Sequence, residues 1–185
     1  CSFILGDEEL METLAATARR LTGGVYVISE LSERSLSRGL ALLADRDEQG
    51  RSVPQRVEAE KKRFVSLVRQ GIAVRGHENC HAKFVVVDDR VAWVGSANLE
   101  RRAFTEVGEA GVVFDNAESV SALARLFARM WLVGSRYELP SSAGGYQVEE
   151  RSGRGSLPFD VPEPATNGKA SVVWTGDSPP SLLGQ

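Results

Sequence analysis

Apolar positions fall along this chain in two rhythms. Short apolar runs recur as CSFILG, GVYVISEL, IAVRG, HAKFVVV, VAWVG and EAGVVF, the mark of strands, and the near-continuous GVYVISEL is of the kind sandwiched between helices. Between them, apolar residues return every three or four positions, as in amphipathic helices. In DEELMETLAATARRLTGG the stripe is Leu10, Leu14, Ala18 and Leu21. Asp7 stands at the N-cap, Glu8 and Glu9 at the positive end of the helix dipole, and Gly23-Gly24 at the stop. Residues 35–45 carry Leu36, Leu40 and Leu43 on one side, and EAEKKRFVSLVRQG predicts a helix ended by Gly71. The polar DRDEQGRSVPQR between them reads as a loop. NAESVSALARLFARMWL places Val120, Leu123, Phe127, Met130 and Trp131 on a core-facing stripe.

Strands alternating with helices predict a layered α/β/α domain, a mixed sheet flanked by helices. Asp88-Asp89-Arg90 joins two of the strands as a hairpin turn. From Ser141 the composition turns to Gly, Ser and Pro without periodicity, so residues 1–140 are expected to form the domain and 141–185 an irregular C-terminal tail, mobile or draped over it. ASVVW near the end could add one edge strand.

The 185 residues suffice for one domain with a real core. A formal net charge of −3 excludes a globally basic nucleic-acid binder but leaves room for a local basic groove. No run is long enough to cross a bilayer and none resembles a secretory leader, so a cytoplasmic protein without stable membrane association is expected. Two cysteines, Cys1 and Cys80, make no disulfide framework.

The chemistry concentrates between residues 77 and 109. On a strand, residues two apart face the same side, so His81 and Lys83 project together into one cleft. Ser96 and Asn98 stand in the same relation after the next strand. An imidazole beside an ammonium and two neutral donors is a receptacle for a phosphoryl group, with the donors meeting charge on its non-bridging oxygens. A hydrogen bond from the second imidazole N–H to the Glu109 carboxylate would fix the tautomer. Asp88, of opposite strand parity, suits the turn or a neighbouring cation better than the substrate.

The spacing His81-x-Lys83, four residues, Asp88, six residues, Gly95-Ser96-x-Asn98, with Glu109 downstream, resembles the HKD motif of the phospholipase D superfamily. The resemblance spans roughly residues 1–131 and implies the superfamily's layered fold and a phosphodiesterase. By that resemblance the catalytic set is His81, Lys83, Asn98, Ser96, Glu109 and Asp88. His81 would attack a phosphodiester to give a phosphohistidine, and neither metal nor cofactor is needed. Among substrates the expectation is nucleic acid, DNA before RNA, in degradation, repair or defence. Transfer of phospholipid head groups and a non-catalytic binding or assembly role are the alternatives.

A second histidine must protonate the leaving oxygen, and superfamily members take it from a second HKD motif. This chain has one motif. The expected partner is therefore a second copy in a homodimer sharing one site, or an upstream half-domain of a longer chain. His77 is the other local candidate. Arg101 and Arg102, just past the Gly-Ser turn, are placed to meet a phosphate backbone. Lys61-Lys62-Arg63 reads as a solvated helix face, and Cys80 as a small packed residue.

Overall fold

The strand Tyr26–Ser29 (β1) sets the layering in the computed structural model, which describes residues 1–43, 50–78, 80–106, 108–142, 144–153 and 155–163. Val27 enters one hydrophobic core and Ile28 the other. The same alternation holds in Ala73–Gly76 (β2), where Val74 joins the first core and Ala73 packs against the second. A strand whose successive side chains are both buried needs cover on both sides. Three helices supply it on one face: Glu8–Ala18 (α1), Glu33–Leu43 (α2) and Val53–Arg69 (α3). On the other face lies Ala117–Arg129 (α5), which continues into a π-helical turn, Met130–Gly134. The expected α/β/α sandwich is the fold.

β1 and β2 run parallel, and Tyr137–Glu138 (β6) and Glu149–Glu150 (β7) extend that sheet antiparallel beyond β2. Phe84–Val87 (β3), Val91–Gly95 (β4) and Gly111–Phe114 (β5) form an antiparallel meander. Residues 1–6 join the two sheets. The Ser2 amide donates to the Ile28 carbonyl at 3.1 Å, while Cys1 and Phe84 exchange backbone hydrogen bonds of 2.8 and 3.1 Å. Further along, Gly6 donates to the Leu99 carbonyl at 2.9 Å, and Leu5 and Leu99 form a parallel bridge. CSFILG, expected as a strand, is thus bonded to both sheets but forms a ladder with neither, since its partners change along its length.

Several boundaries differ from expectation for local reasons. α3 begins at Val53, so residues 53–56 of the expected loop are helical. Ser52 and Gln55 make a capping pair in which the Ser52 amide donates to Gln55 Oε1 at 2.8 Å, and Pro54 fits the first turn. α1 ends at Ala18, before the glycine pair, leaving Leu21 41% exposed beyond the helix. Its N-cap is as expected, with the Leu10 amide donating to Asp7 at 2.7 Å. A short helix, Arg101–Thr105 (α4), falls where no periodicity announced one. The π turn, closed by Ser135 N–H to Met130 C=O at 2.7 Å, lets the adjacent Met130 and Trp131 both be buried.

Residues past 141 lie on both faces of the sandwich. Tyr146 packs against the first core with its hydroxyl donating to the Leu31 carbonyl, and Phe159 sits among Tyr26, Phe127 and Trp131 on the other side. ASVVW, the Leu43 side chain and residues 44–45 lie outside the described residues. No helix among the described residues is long and apolar enough to cross a membrane.

Ser2 should prove disproportionately important for its size. It is fully buried, and its hydroxyl accepts from the Leu99 amide at 3.1 Å while donating to the Ile4 carbonyl at 2.7 Å. Ser2→Ala leaves both backbone groups without that partner, so urea unfolding should show a loss of about 1–3 kcal/mol. An unchanged midpoint would mean the seam does not depend on this hydroxyl.

Candidate active site

His81 and Lys83 meet as strand parity predicts, although β3 itself begins only at Phe84. Residues 81–83 form its lead-in, held by Gly95 N–H to the Lys83 carbonyl at 3.2 Å. The Lys83 ammonium donates to His81 Nδ1 at 3.0 Å and to the His81 carbonyl at 2.8 Å. Lys83 is 6% exposed, whereas the imidazole is open to solvent. An ammonium can only donate, so Nδ1 is the acceptor and the neutral ring carries its proton on Nε2. The Phe3 ring lies 6.5 Å from the imidazole, centroid to centroid. Phe3 reaches that place because α2 has glycine at residue 39, where a Cβ would fall 2.1 Å from Phe3 Cζ. The sequence reading did not single out Phe3; a glycine inside the helical pattern SLSRGLALL was the available signal.

The other half of the site grows from the ends of β4 and β5. Ser96 N–H donates to the Ala110 carbonyl at 2.9 Å, and the Ala110 amide donates to Ser96 Oγ at 3.1 Å. The Ser96 hydroxyl in turn donates to the Glu109 carboxylate. Glu109 is therefore bound to Ser96 and not to the imidazole, whose Nδ1 is taken by Lys83. The expected Glu109–His81 bond gives way to one in which Glu109 acts on Lys83 through its charge. Gly95 has a packing reason: the Trp93 indole lies across it and Gly111, where added Cβ atoms would come within 2.4 and 2.3 Å of the ring. Asn98 follows in a loop fixed by Leu99. Its Oδ1 is buried without a hydrogen-bond partner among the described residues.

Residues 1–131 match the family model described as cardiolipin synthase, PLD-like domain. This chain belongs to the phospholipase D superfamily. It is 29% identical over 125 residues to the 5'-3' exonuclease PLD3 of Rattus norvegicus, covering 63% of this chain and 25% of that protein. Phospholipase D Z of Dictyostelium discoideum is 38% identical over 89 residues, 48% of this chain and 19% of the relative. The chain thus spans about a quarter or less of the length of these relatives. Among solved structures, the phospholipase D family member Nuc from Salmonella typhimurium superposes with a TM-score of 0.52 at 19% identity, over 75% of this chain and 78% of that one. This last likeness is one of fold.

Within the superfamily's motif, the structure gathers His81, Lys83, Ser96 and Glu109 and leaves Asp88 apart. Asp88 and Asp89 form the hairpin tip with φ of 49° and 52°, closed by Arg90 N–H to the Val87 carbonyl at 3.0 Å. At a strand's rise, Asp88 stands roughly 16 Å along the chain from Lys83. It is a turn residue, as its strand parity suggests, since an aspartate tolerates the left-handed conformation that a hairpin tip demands, and it stands away from the imidazole. Arg101 and Arg102 are exposed on α4, one turn past Asn98. His77 is held by the fold: its ring lies against Gly134 of the π turn, and Nδ1 bonds to the Glu78 carbonyl at 3.0 Å. Cys80 is buried against Phe84, its sulfur 3.4 Å from that of Cys1, both thiols free. Lys61 is paired to Glu33 and Glu58 at 2.8 and 2.7 Å, as befits a solvated helix face. No three His, Cys, Asp or Glu side chains converge as metal ligands among the described residues.

Burial, and then the adjacent Lys83 ammonium, hold the His81 pKa below the ordinary histidine value. Lys83 is itself lowered, chiefly by burial, with Cys80 and Glu109 acting in the opposite sense. The imidazole is thereby kept neutral at pH 7, the form that carries a nucleophilic lone pair. Nuclear magnetic resonance can read this directly, because the chain has only two histidines. His81 should titrate below the ordinary histidine value of 6.5, and Lys83→Met should move it upward by removing the neighbouring positive charge. An identical midpoint in both proteins would contradict the contact.

Proposed function

We propose that the chain carries one catalytic half of a phosphodiesterase that cleaves nucleic acid, DNA before RNA, through a phosphohistidine at His81. The observation that carries this reading is the buried Lys83 ammonium seated on the imidazole. At rest Lys83 occupies Nδ1. An incoming phosphodiester offers the ammonium a non-bridging oxygen, and Lys83 transfers to it. The freed Nδ1 accepts the ring proton, Nε2 attacks phosphorus, and the P–O ester bond breaks. Water then attacks the phosphorus of the phosphohistidine and restores the imidazole. The Asn98 amide supplies a further donor to the phosphoryl oxygens, and Ser96 holds Glu109 where its charge offsets Lys83. The exonuclease name of the rat relative supports nucleic acid as substrate.

The leaving oxygen needs a proton that His81 cannot give while attacking, and His77 is committed to the π turn. The acid is a second imidazole from outside this site, supplied by a second copy across a two-fold axis or by another half-site of a longer chain. A homodimer places two His81 rings on one phosphorus.

His81→Ala should abolish cleavage of a labelled oligonucleotide. Lys83→Ala or Asn98→Ala should slow it by roughly 10²–10³, the usual cost of one preorganised donor. Cleavage should persist in EDTA, because the nucleophile is an imidazole and the charge is met by lysine. A panel of DNA, RNA and phosphatidylcholine under the same conditions decides the class. Consumption of the phospholipid alone would overturn the nucleic-acid reading in favour of head-group hydrolysis, which the Dictyostelium relative's name suggests.

Assembly has its own test. If two copies share a site, wild-type chains swamped by His81→Ala should lose nearly all activity, and dilution should lower specific activity. Full activity in a monomer, independent of dilution, would instead require an acid within the chain, and His77→Ala would then decide.

A further inference from the structure

The connection between β4 and β5 leaves the sheet and returns to it at one place. Its feet are Ser96 and Ala110, joined by backbone and side-chain hydrogen bonds, beside the Glu109 whose charge reaches Lys83. The intervening excursion therefore stands on the rim of the candidate site. Its first part is pinned, with Ala97 buried and Leu99 bonded to Ser2 and Gly6. α4 follows, turning Ala103 inward and Arg101, Arg102 and Phe104 outward. Arg101 and Phe104, three residues apart, share one face of the helix. Phe104 is 52% exposed, while the other six phenylalanines are buried or half-buried. It contributes to neither hydrophobic core.

We infer that Phe104 and Arg101 form a stacking rim for an unpaired nucleobase next to the scissile phosphate, so that the substrate is single-stranded nucleic acid. The inference rests on the nuclease reading above. A lone aromatic face beside a guanidinium group matches the chemistry of a single strand: a base stacks on the ring, and Arg101 meets the adjoining phosphate. In a duplex both faces of each base are already stacked, and exposing one costs unstacking energy. A lipid surface calls for several adjacent apolar side chains, and α4 presents one.

The test measures binding, using the full chain with His81→Ala in EDTA so that nothing is cleaved. Fluorescence anisotropy compares a dye-labelled oligothymidylate strand with a duplex of equal length. Adding Phe104→Ala should weaken single-strand binding by about 5- to 150-fold, the span of one aromatic–base stack, and leave duplex binding unchanged. Phe104→Trp should restore it, with its indole emission quenched by the strand relative to the parent protein, whereas Phe104→Leu should not. Arg101→Ala should weaken both and reduce the salt dependence. Equal losses on strand and duplex, or no loss on either, would overturn the inference. So would a Phe104→Ala defect confined to vesicles of phosphatidylglycerol. Failure of the hydrolytic reading would show in cleavage assays and leave these affinities untouched, so the two failures are distinguishable.

Discussion

Everything in this fold hangs on the seam made by residues 1–6. The parallel β1–β2 pair and the β3–β4–β5 meander make no ladder with each other; Ser2 bonds to β1, Cys1 to β3, and Leu5 bridges Leu99 in the β4–β5 connection. The seam is also where architecture and chemistry become one constraint. Ser2 holds the Leu99 amide, and Leu99 fixes the loop that presents Asn98, while Cys1 pairs with Phe84, the residue after Lys83. Phe3, between them, stands beside His81. One short segment thus sets the spacing between the nucleophile and the donor loop.

The chemistry of the site rests on an uncomfortable neighbour. A nearly buried amine against an imidazole is unfavourable for both charged forms: burial lowers both pKa values, and the Lys83 charge lowers that of His81 further. Glu109 relieves the strain on Lys83 without touching His81, because Ser96 anchors it at the mouth of the β4–β5 pair. The arrangement is one that an anionic phosphoryl group improves, since it supplies the negative charge that the site lacks. Binding and activation of the nucleophile then become the same event.

Much of this was legible from residue order. The period-two pairing of His81 with Lys83, the alternation that demands helices on both faces, and the α5 stripe all follow from geometry local to one element. What escaped depends on distant partners. The helical start at Val53 was hidden by Pro54, which suits a first turn as well as it suits a loop. Glu109 was expected on the imidazole because nothing in the sequence tells which of two neighbours, Ser96 or His81, is nearer. Asp88 carries a motif position, yet its strand parity already pointed to the hairpin tip, where its positive φ places it. Phe3 became visible once Gly39 was seen to make room for it.

The segment past residue 141 has a consequence for biosynthesis. Tyr146 closes one layer and Phe159 the other, where it completes an aromatic cluster with Tyr26, Phe127 and Trp131. A ribosome delivers these residues after the layers that they cover. Until Phe159 emerges, the surface it covers faces the crowded cell as a sticky apolar patch, however well the rest has folded. Residues 146–159 read like an appendage, but they act as a fastening over both layers.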